Sequence, residues 1–136
     1  MKMTIVIADD SRTARFLIKQ YLEMVGFYQA SFIEAENGRQ ALQLVKDNEA
    51  DILFTDYKMP EMDGLDLLRR IKANPKLHDM PVVVITSFAN RAKIDELSEN
   101  GAFAVLQKPL SLSKLHETMK PLLTDEDYGE QDIERE

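Results

Sequence analysis

Four short apolar runs in this chain each end on a charged or hydroxyl-bearing residue, and this pattern limits the possible folds more than any other feature of the sequence. The ends of the runs are Asp9-Asp10 after residues 4–8, Asp56 after 50–55, Thr86-Ser87 after 82–85 and Lys108 after 103–107. Such runs are typical of buried strands, and a carboxylate at the end of a buried strand is costly unless a charged group meets it. We therefore expect three acids, a hydroxyl and an ammonium to converge.

Stretches of helical period separate the apolar runs. Alternation of strands with helices is typical of a parallel sheet that is buried on both faces. The sequence therefore predicts an α/β fold, with five strands and five helices in a single doubly wound sheet.

The helix ends are predicted from capping residues and from proline. The first expected helix covers 11–25 and is closed by Gly26, and the second starts at Asn37-Gly38. The third is capped by Asp63 and stopped at Asn74-Pro75, and the fourth covers 89–100 and is closed by Gly101. The fifth is capped by Ser111 and continues to Leu122. Within the last of these, Pro121 either kinks the helix or ends it early.

The length of 136 residues suits one domain with a single core. The absence of cysteine excludes disulfides, thiolate metal sites and a cysteine nucleophile, and it fits a reducing, cytoplasmic compartment. We expect no membrane contact, because there is no secretory signal pattern at the start and no apolar segment long enough to span a bilayer.

The negative charge is concentrated at the end of the chain. Residues 124–136 hold seven acids against Arg135, a net of −6, so the overall −7 leaves only −1 for residues 1–123. We predict one domain over 1–123 and an acidic, disordered tail over 124–136. Because no cluster of Lys and Arg with interleaved aromatics occurs, nucleic-acid binding is not expected.

The ordered set of motifs resembles the receiver domain of two-component response regulators, of the stand-alone, chemotaxis-regulator-like kind. The set is the acid pair Asp9-Asp10, the segment Asp56-Tyr57-Lys58-Met59-Pro60-Glu61-Met62-Asp63-Gly64, then Thr86-Ser87, then Lys108-Pro109. The resemblance covers residues 4 to about 123. It implies the flavodoxin-like receiver fold with strand order 2-1-3-4-5.

The resemblance also implies a chemistry. Phosphoryl transfer needs a nucleophile, a cation and donors fixed where negative charge accumulates. Asp56 would be the phosphoacceptor, Lys108 would hold a phosphoryl oxygen, and Thr86 would donate its hydroxyl, with the backbone N–H of Ser87 as a second donor. The bond before Pro109 is expected to be cis, as is usual in the family.

A magnesium site follows from the same resemblance. Mg²⁺ prefers oxygen ligands and keeps several waters, so few carboxylates are enough. Asp10 and Asp56 would bind the ion directly, Asp9 through water, and Lys58 through its backbone carbonyl.

One departure from the family pattern bears on signalling. Val105 stands three residues before Lys108, where an aromatic switch residue is common, and Phe103 stands two residues earlier. Phe103 is either additional core or an exposed anchor for a partner on the surface of the fourth helix, fifth strand and fifth helix.

The resulting hypothesis is a single-domain response regulator that catalyses only its own phosphorylation and dephosphorylation, and is otherwise no enzyme. A sensor histidine kinase or phosphotransfer protein would supply the phosphoryl group, and a downstream protein would bind the switched surface. A phosphate sink or relay intermediate is the alternative within the family.

Two alternatives belong to other classes. A flavodoxin-like FMN-binding protein shares the fold, but Asp9-Asp10 would repel the phosphate after the first strand. A haloacid-dehalogenase-type phosphatase needs a second acid two residues after the nucleophile, where Lys58 stands. Individually, Asp9 and Asp10 could be helix caps and Lys108 a solvated surface lysine.

Overall fold

The structure is a computed structural model that describes residues 2–123, so the predicted acidic tail lies outside the described residues. Across residues 2–123 it contains five strands and five α-helices in strict alternation. The strands are β1 (Thr4–Ala8), β2 (Ser31–Ala35), β3 (Ile52–Asp56), β4 (Val82–Thr86) and β5 (Ala104–Gln107). The helices are α1 (Arg12–Leu22), α2 (Gly38–Asp47), α3 (Gly64–Ala73), α4 (Arg91–Glu99) and α5 (Leu112–Met119).

All strand pairs are parallel, and their spatial order is β2-β1-β3-β4-β5. This confirms the predicted doubly wound sheet. Side chains alternate across it, so Val6 faces the layer of α2, α3 and α4 while Ile5 and Ile7 face α1 and α5. Burial on both faces explains why the central strands are continuous apolar runs.

Side-chain caps begin the helices as predicted at three places. Asn37, Asp63 and Ser111 accept hydrogen bonds from the backbone N–H groups of Gln40, Asp66 and Lys114. Each bond satisfies one of the N–H groups that lack a partner in the first helical turn.

Two helix boundaries differ from the prediction, and a third agrees with one of its alternatives. The α-helix ends at Leu22, earlier than predicted, and passes into a turn, Glu23–Phe27. Gly26 has a φ of 131° and interrupts the helical conformation there, as predicted. The predicted start of α4 at Ala89 is wrong, because the side chain of Asn90 caps the helix and Arg91 is its first residue. The last helix ends early, as one alternative predicted: α5 ends at Met119, and Pro121 lies in a short 3₁₀ turn, Lys120–Leu122.

Within residues 2–123, no helix combines the length and the apolar character needed to cross a membrane.

Candidate functional site

The carboxyl ends of four strands meet at one edge of the sheet and bring the predicted residues together. In the sheet register Ala8 pairs with Thr55, Asp56 with Ile85 and Thr86 with Gln107. Asp9, Asp56, Thr86 and Lys108 therefore leave neighbouring strands at nearly the same height. The predicted convergence is confirmed for Asp9, Asp10, Asp56 and Lys108, whose charged groups lie close together. For the hydroxyl of Thr86 it stays a prediction.

Lys108 is the cation that meets the acids. Its Nζ lies 2.9 Å from Asp9 Oδ2 and 3.2 Å from Asp56 Oδ2. The side chain of Lys108 is 26% exposed, so it is not the solvated surface lysine of the alternative reading. The peptide bond between Lys108 and Pro109 is cis, as the resemblance implies.

The carboxylate of Asp56 is nearly buried and lies close to a negative charge on Asp9 and a positive charge on Lys108. Its Oδ1 accepts a hydrogen bond from the backbone N–H of Tyr57 at 2.8 Å. Burial raises the pKa of Asp56 and the charge of Asp9 raises it further, and together they outweigh Lys108. Burial alone would lower the pKa of Lys108, but hydrogen bonds and charges from Asp9 and Asp56 leave it raised.

The three acids form a group that suits a divalent cation. One carboxylate oxygen from each of Asp9, Asp10 and Asp56 lies within 4.8 Å of the other two. Three carboxylates against the ammonium of Lys108 leave a formal excess of two negative charges. Hard oxygen donors with this excess charge fit Mg²⁺.

The two residues of the acid pair differ in exposure. Asp9 is 1% exposed, and its Oδ1 accepts a hydrogen bond from the backbone N–H of Ser11 at 2.8 Å. Asp10 is exposed and lines the cleft above Asp56. Asp9 therefore forms the floor of the site and Asp10 its solvent-facing side.

Thr86 is buried at the end of β4, and Ser87 after it is exposed. The Oγ1 of Thr86 accepts a hydrogen bond from the backbone N–H of Phe88 at 3.1 Å. A hydroxyl that accepts one bond can still donate its own hydrogen. Thr86 is therefore chemically able to serve as a donor in the site.

An open cleft of about 570 Å³ lies over Asp56. Its lining residues are Asp10, Asp56, Lys58, Met59, Pro60, Ser87 and Phe88. Phe88 is 56% exposed, and the Nζ of Lys58 lies 5.3 Å from the centroid of its ring. The ligand role predicted for the backbone carbonyl of Lys58 remains a prediction.

Phe88 and Arg15 belong to the site region but were not predicted from the sequence. For Phe88, the available signal was an aromatic residue two positions after Thr86, in a loop at the sheet edge. For Arg15, it was a cation three residues before Ile18, on the inward stripe of α1. Arg15 is 8% exposed and contacts the backbone of Asp9.

Gly64 allows α3 to begin directly against the loop that carries Asp56. Its backbone N–H donates to the carbonyl oxygen of Tyr57 at 2.6 Å. A Cβ at Gly64 would lie 2.6 Å from the carbonyl oxygen of Asp56 and 2.9 Å from the Cα of Tyr57. Any side chain at this position would therefore displace the backbone of Asp56.

Val105 lies on the edge strand β5, and Phe103 directly precedes that strand. The backbone N–H of Phe103 donates to the carbonyl oxygen of Val82 at the start of β4, so Phe103 lies at the end of the sheet opposite the site. Phe103 is 41% exposed, which favours the reading as an exposed residue over additional core. Val105 is partly buried and packs against the layer of α2, α3 and α4.

Comparisons with known proteins agree with this geometry. Residues 5–120 match the family described as "Response regulator receiver domain". The chemotaxis protein CheY-3 of Vibrio cholerae is 37% identical over 117 residues, which is 86% of this chain and 88% of that protein. The chemotaxis protein CheY of Pseudomonas aeruginosa is 36% identical over 120 residues, which is 88% of this chain and 95% of that protein.

A solved structure has the same fold. The signal receiver domain of a DNA-binding response regulator from Colwellia psychrerythraea superposes with a TM-score of 0.82. The two chains are 28% identical, and the match covers 88% of this chain and 97% of the other.

Proposed function

This chain belongs to the response regulator receiver domain family, and on that premise we propose that it is a phosphorylation-dependent switch with Asp56 as the phosphoacceptor. The observation that carries the proposal is the nearly buried carboxylate of Asp56, which shares the ammonium of Lys108 with Asp9 and opens onto a cleft. A buried carboxylate in a cleft with a raised pKa and a specific charge partner is typical of functional sites.

The proposed reaction transfers a phosphoryl group from a phosphohistidine of a sensor kinase or phosphotransfer protein. A carboxylate oxygen of Asp56 attacks the phosphorus, an O–P bond forms, and the P–N bond of the donor breaks. The electron pair of that bond leaves with the imidazole, which takes up a proton from solvent. Asp56 becomes an acyl phosphate, and water later removes the group to restore the carboxylate.

Lys108, Thr86 and Ser87 would receive the new charge. In the unphosphorylated protein the ammonium of Lys108 bridges Asp9 and Asp56. Once the phosphoryl group is bound, Lys108 would pair with one of its oxygens, while the hydroxyl of Thr86 and the backbone N–H of Ser87 donate to others. The acyl phosphate carries about −1.5 to −2 charges in place of the −1 of the carboxylate, and this added charge can reorder the loops that these residues begin.

Mg²⁺ is the cofactor that the acidic group fits. Asp10 and Asp56 would bind it directly, and Asp9 through water, with the backbone carbonyl of Lys58 as a further ligand. When bound, the ion neutralises oxygens of the transferring phosphoryl group.

The output would be binding of a downstream protein to the surface formed by α4, β5 and α5. Phe103 supports this proposal as an exposed aromatic on that surface, since aromatic residues are enriched among interface anchors. Because the relatives at 36–37% identity are named chemotaxis proteins, we propose chemotaxis as the pathway. A phosphate sink or relay remains the alternative.

We also infer that residues 1–123 form the whole receiver domain and that the protein acts in the cytoplasm. The family match over residues 5–120 supports the first inference. The absence of cysteine fits the second.

The test is phosphorylation of the full chain by phosphoramidate in the presence of Mg²⁺, followed by intact mass. The wild type should gain one phosphate, and Asp56→Asn should gain none. Asp66→Asn, which removes an exposed carboxylate on α3, is the matched control and should behave as wild type. A phosphate that persists in Asp56→Asn would show that another residue is the acceptor.

A further inference from the structure

Arg15 is a buried cation that the proposed reaction does not use. It lies on the inward face of α1 and is 8% exposed. Arginine is seldom buried unless it is paired. Its two recorded partners are the backbone carbonyl of Asp9, 2.7 Å from Nη1, and Glu34 Oε1 on β2, 2.8 Å from Nε.

The two partners of Arg15 differ in their surroundings. The side chain of Glu34 is 49% exposed, and ion pairs with such a half-exposed partner contribute little. The bond to the carbonyl of Asp9 is buried and short, and a charged donor makes it stronger than a neutral hydrogen bond. The contact with Asp9 is therefore the one that places Arg15 in relation to the site.

That carbonyl belongs to the peptide group that joins Asp9 to Asp10. A peptide group is planar, so fixing its oxygen also fixes the direction in which the chain enters Asp10. On the other side of Asp9, the backbone N–H donates to the carbonyl oxygen of Ala35 at 3.0 Å. The backbone is thus held on both sides of Asp9, immediately before the exposed carboxylate that lines the cleft.

We propose that Arg15 is a positioning residue that orients the Asp10 carboxylate for a divalent cation. Residues that support metal ligands from behind typically change metal affinity by about 10- to 100-fold when they are removed. Arginine suits this role because its planar fork presents donors to the carbonyl and to Glu34 at once, whereas lysine offers a single point charge. The inference rests on the proposed function for the identity of the ion as Mg²⁺.

The alternative is that Arg15 merely attaches α1 to the sheet. Both roles predict a loss of stability when Arg15 is replaced, so stability alone does not separate them. Only the positioning role predicts a loss of Mg²⁺ affinity in protein that is still folded.

The experiment titrates Mg²⁺ into the full chain and follows the amide resonances of residues 9–11 and 56–58 by NMR, without any phosphodonor. Arg15→Met keeps the apolar stem and removes all donors. We expect its Mg²⁺ dissociation constant to rise about tenfold or more relative to wild type. Unfolding by urea in EDTA measures the stability of each variant separately.

Three further variants complete the design. Arg15→Lys should recover part of the affinity, because it restores the charge and one donor. Glu34→Gln should stay within about threefold of wild type, since it removes only the half-exposed partner's charge. Arg12→Met, on the exposed side of the same helix, is the matched control and should not change the affinity.

A dissociation constant in Arg15→Met within about twofold of wild type, with lowered stability, would overturn the inference and leave Arg15 a structural residue. If Arg15→Met does not fold, the Mg²⁺ dissociation constant of Arg15→Lys decides. A wild-type value in Arg15→Lys would then overturn the inference. An unchanged Mg²⁺ affinity in Asp10→Asn would show that Asp10 is not a ligand of the ion, and this would also overturn the inference. Failure of the proposed function would give a different result: the protein would bind Mg²⁺ normally, but Asp56 would not be phosphorylated.

Discussion

The two sides of the cleft over Asp56 are attached to the rest of the molecule in different ways. On the β1–α1 side, Asp9 is held through its backbone N–H, its carbonyl and both carboxylate oxygens, by Ala35, Arg15, Ser11 and Lys108. Helix α1 adds the buried side chains of Ile18 and Leu22 beside Arg15. This side of the cleft is fixed by many independent contacts.

The β4–α4 side has fewer attachments. Among the residues of α4, all of which the structure describes, Leu97 alone is buried. A second tether is the ammonium of Lys93, which lies 3.8 Å from the centroid of the Tyr57 ring, directly after Asp56 in the chain. A cation over an aromatic ring at an accessible site contributes only about 0.5–1 kcal/mol.

The comparison separates the two tasks of a switch. The proposed site for metal and phosphoryl groups would need ligands that do not move, and the many contacts of the β1–α1 side would hold them in place. A surface that reports the state of the site must be able to move, and elements with few buried contacts open at the lowest free energy. Because Tyr57 joins the Asp56 loop to α4, a change at Asp56 can reach the helix without an aromatic residue at position 105.

The largest expected effect that tests this comparison is that of Leu97→Ala. Removing a fully buried leucine typically costs about 2–5 kcal/mol of unfolding free energy. Urea denaturation measures the loss of unfolding free energy. Hydrogen exchange should show that the amides of α4 lose more protection than the amides of the strands. Leu22→Ala, also at 0% exposure, should cost a similar amount while α1 keeps its protection relative to the sheet. If α4 in Leu97→Ala and α1 in Leu22→Ala lose equal protection relative to the sheet, the two sides are not attached differently.

A smaller effect is expected from Phe103→Ala on the outer surface beside α4. With 41% of the side chain exposed, the substitution should cost less than about 1 kcal/mol, against about 3–5 kcal/mol for Phe54→Ala at 0% exposure. The same variant should weaken binding of the downstream partner. A stability loss in the range of Phe54→Ala, with association unchanged, would place the partner surface elsewhere.

The smallest effect concerns Asp56 itself, beneath the cleft between the two sides, and has the opposite sign. The pKa of Asp56 is raised above its ordinary 3.8, so ionising Asp56 costs the folded protein more than the unfolded chain. Stability is therefore lost as pH rises from about 3.8 through the raised pKa, and the loss is complete above it. In EDTA at pH 7, Asp56→Asn should be more stable than wild type, and the gain should shrink on acidification. Lys108 offsets part of the repulsion, which keeps the gain small. A destabilised Asp56→Asn under these conditions would contradict the sign.

The sequence predicted those parts of the molecule that depend on local pattern. Asp9, Asp10, Asp56, Thr86 and Lys108 could be brought together because the carboxyl ends of parallel strands share an edge. Arg15 could not be predicted, because a charged residue on a helix is normally exposed, and its burial depends on a hydrogen bond to the carbonyl oxygen of Asp9 that only the folded structure shows. Phe88 was missed because an aromatic in a loop has no periodicity that indicates exposure.

Gly64 has a consequence for how sequences in this position can vary. If a library with every amino acid at position 64 were selected for phosphorylation alone, the survivors should carry glycine, although the residue touches no phosphoryl group. Even alanine adds an atom 2.6 Å from the carbonyl oxygen of Asp56, so the smallest possible side chain is already excluded by the backbone it would meet. The position of the proposed acceptor carboxylate thus depends on a residue without a side chain eight positions later in the chain.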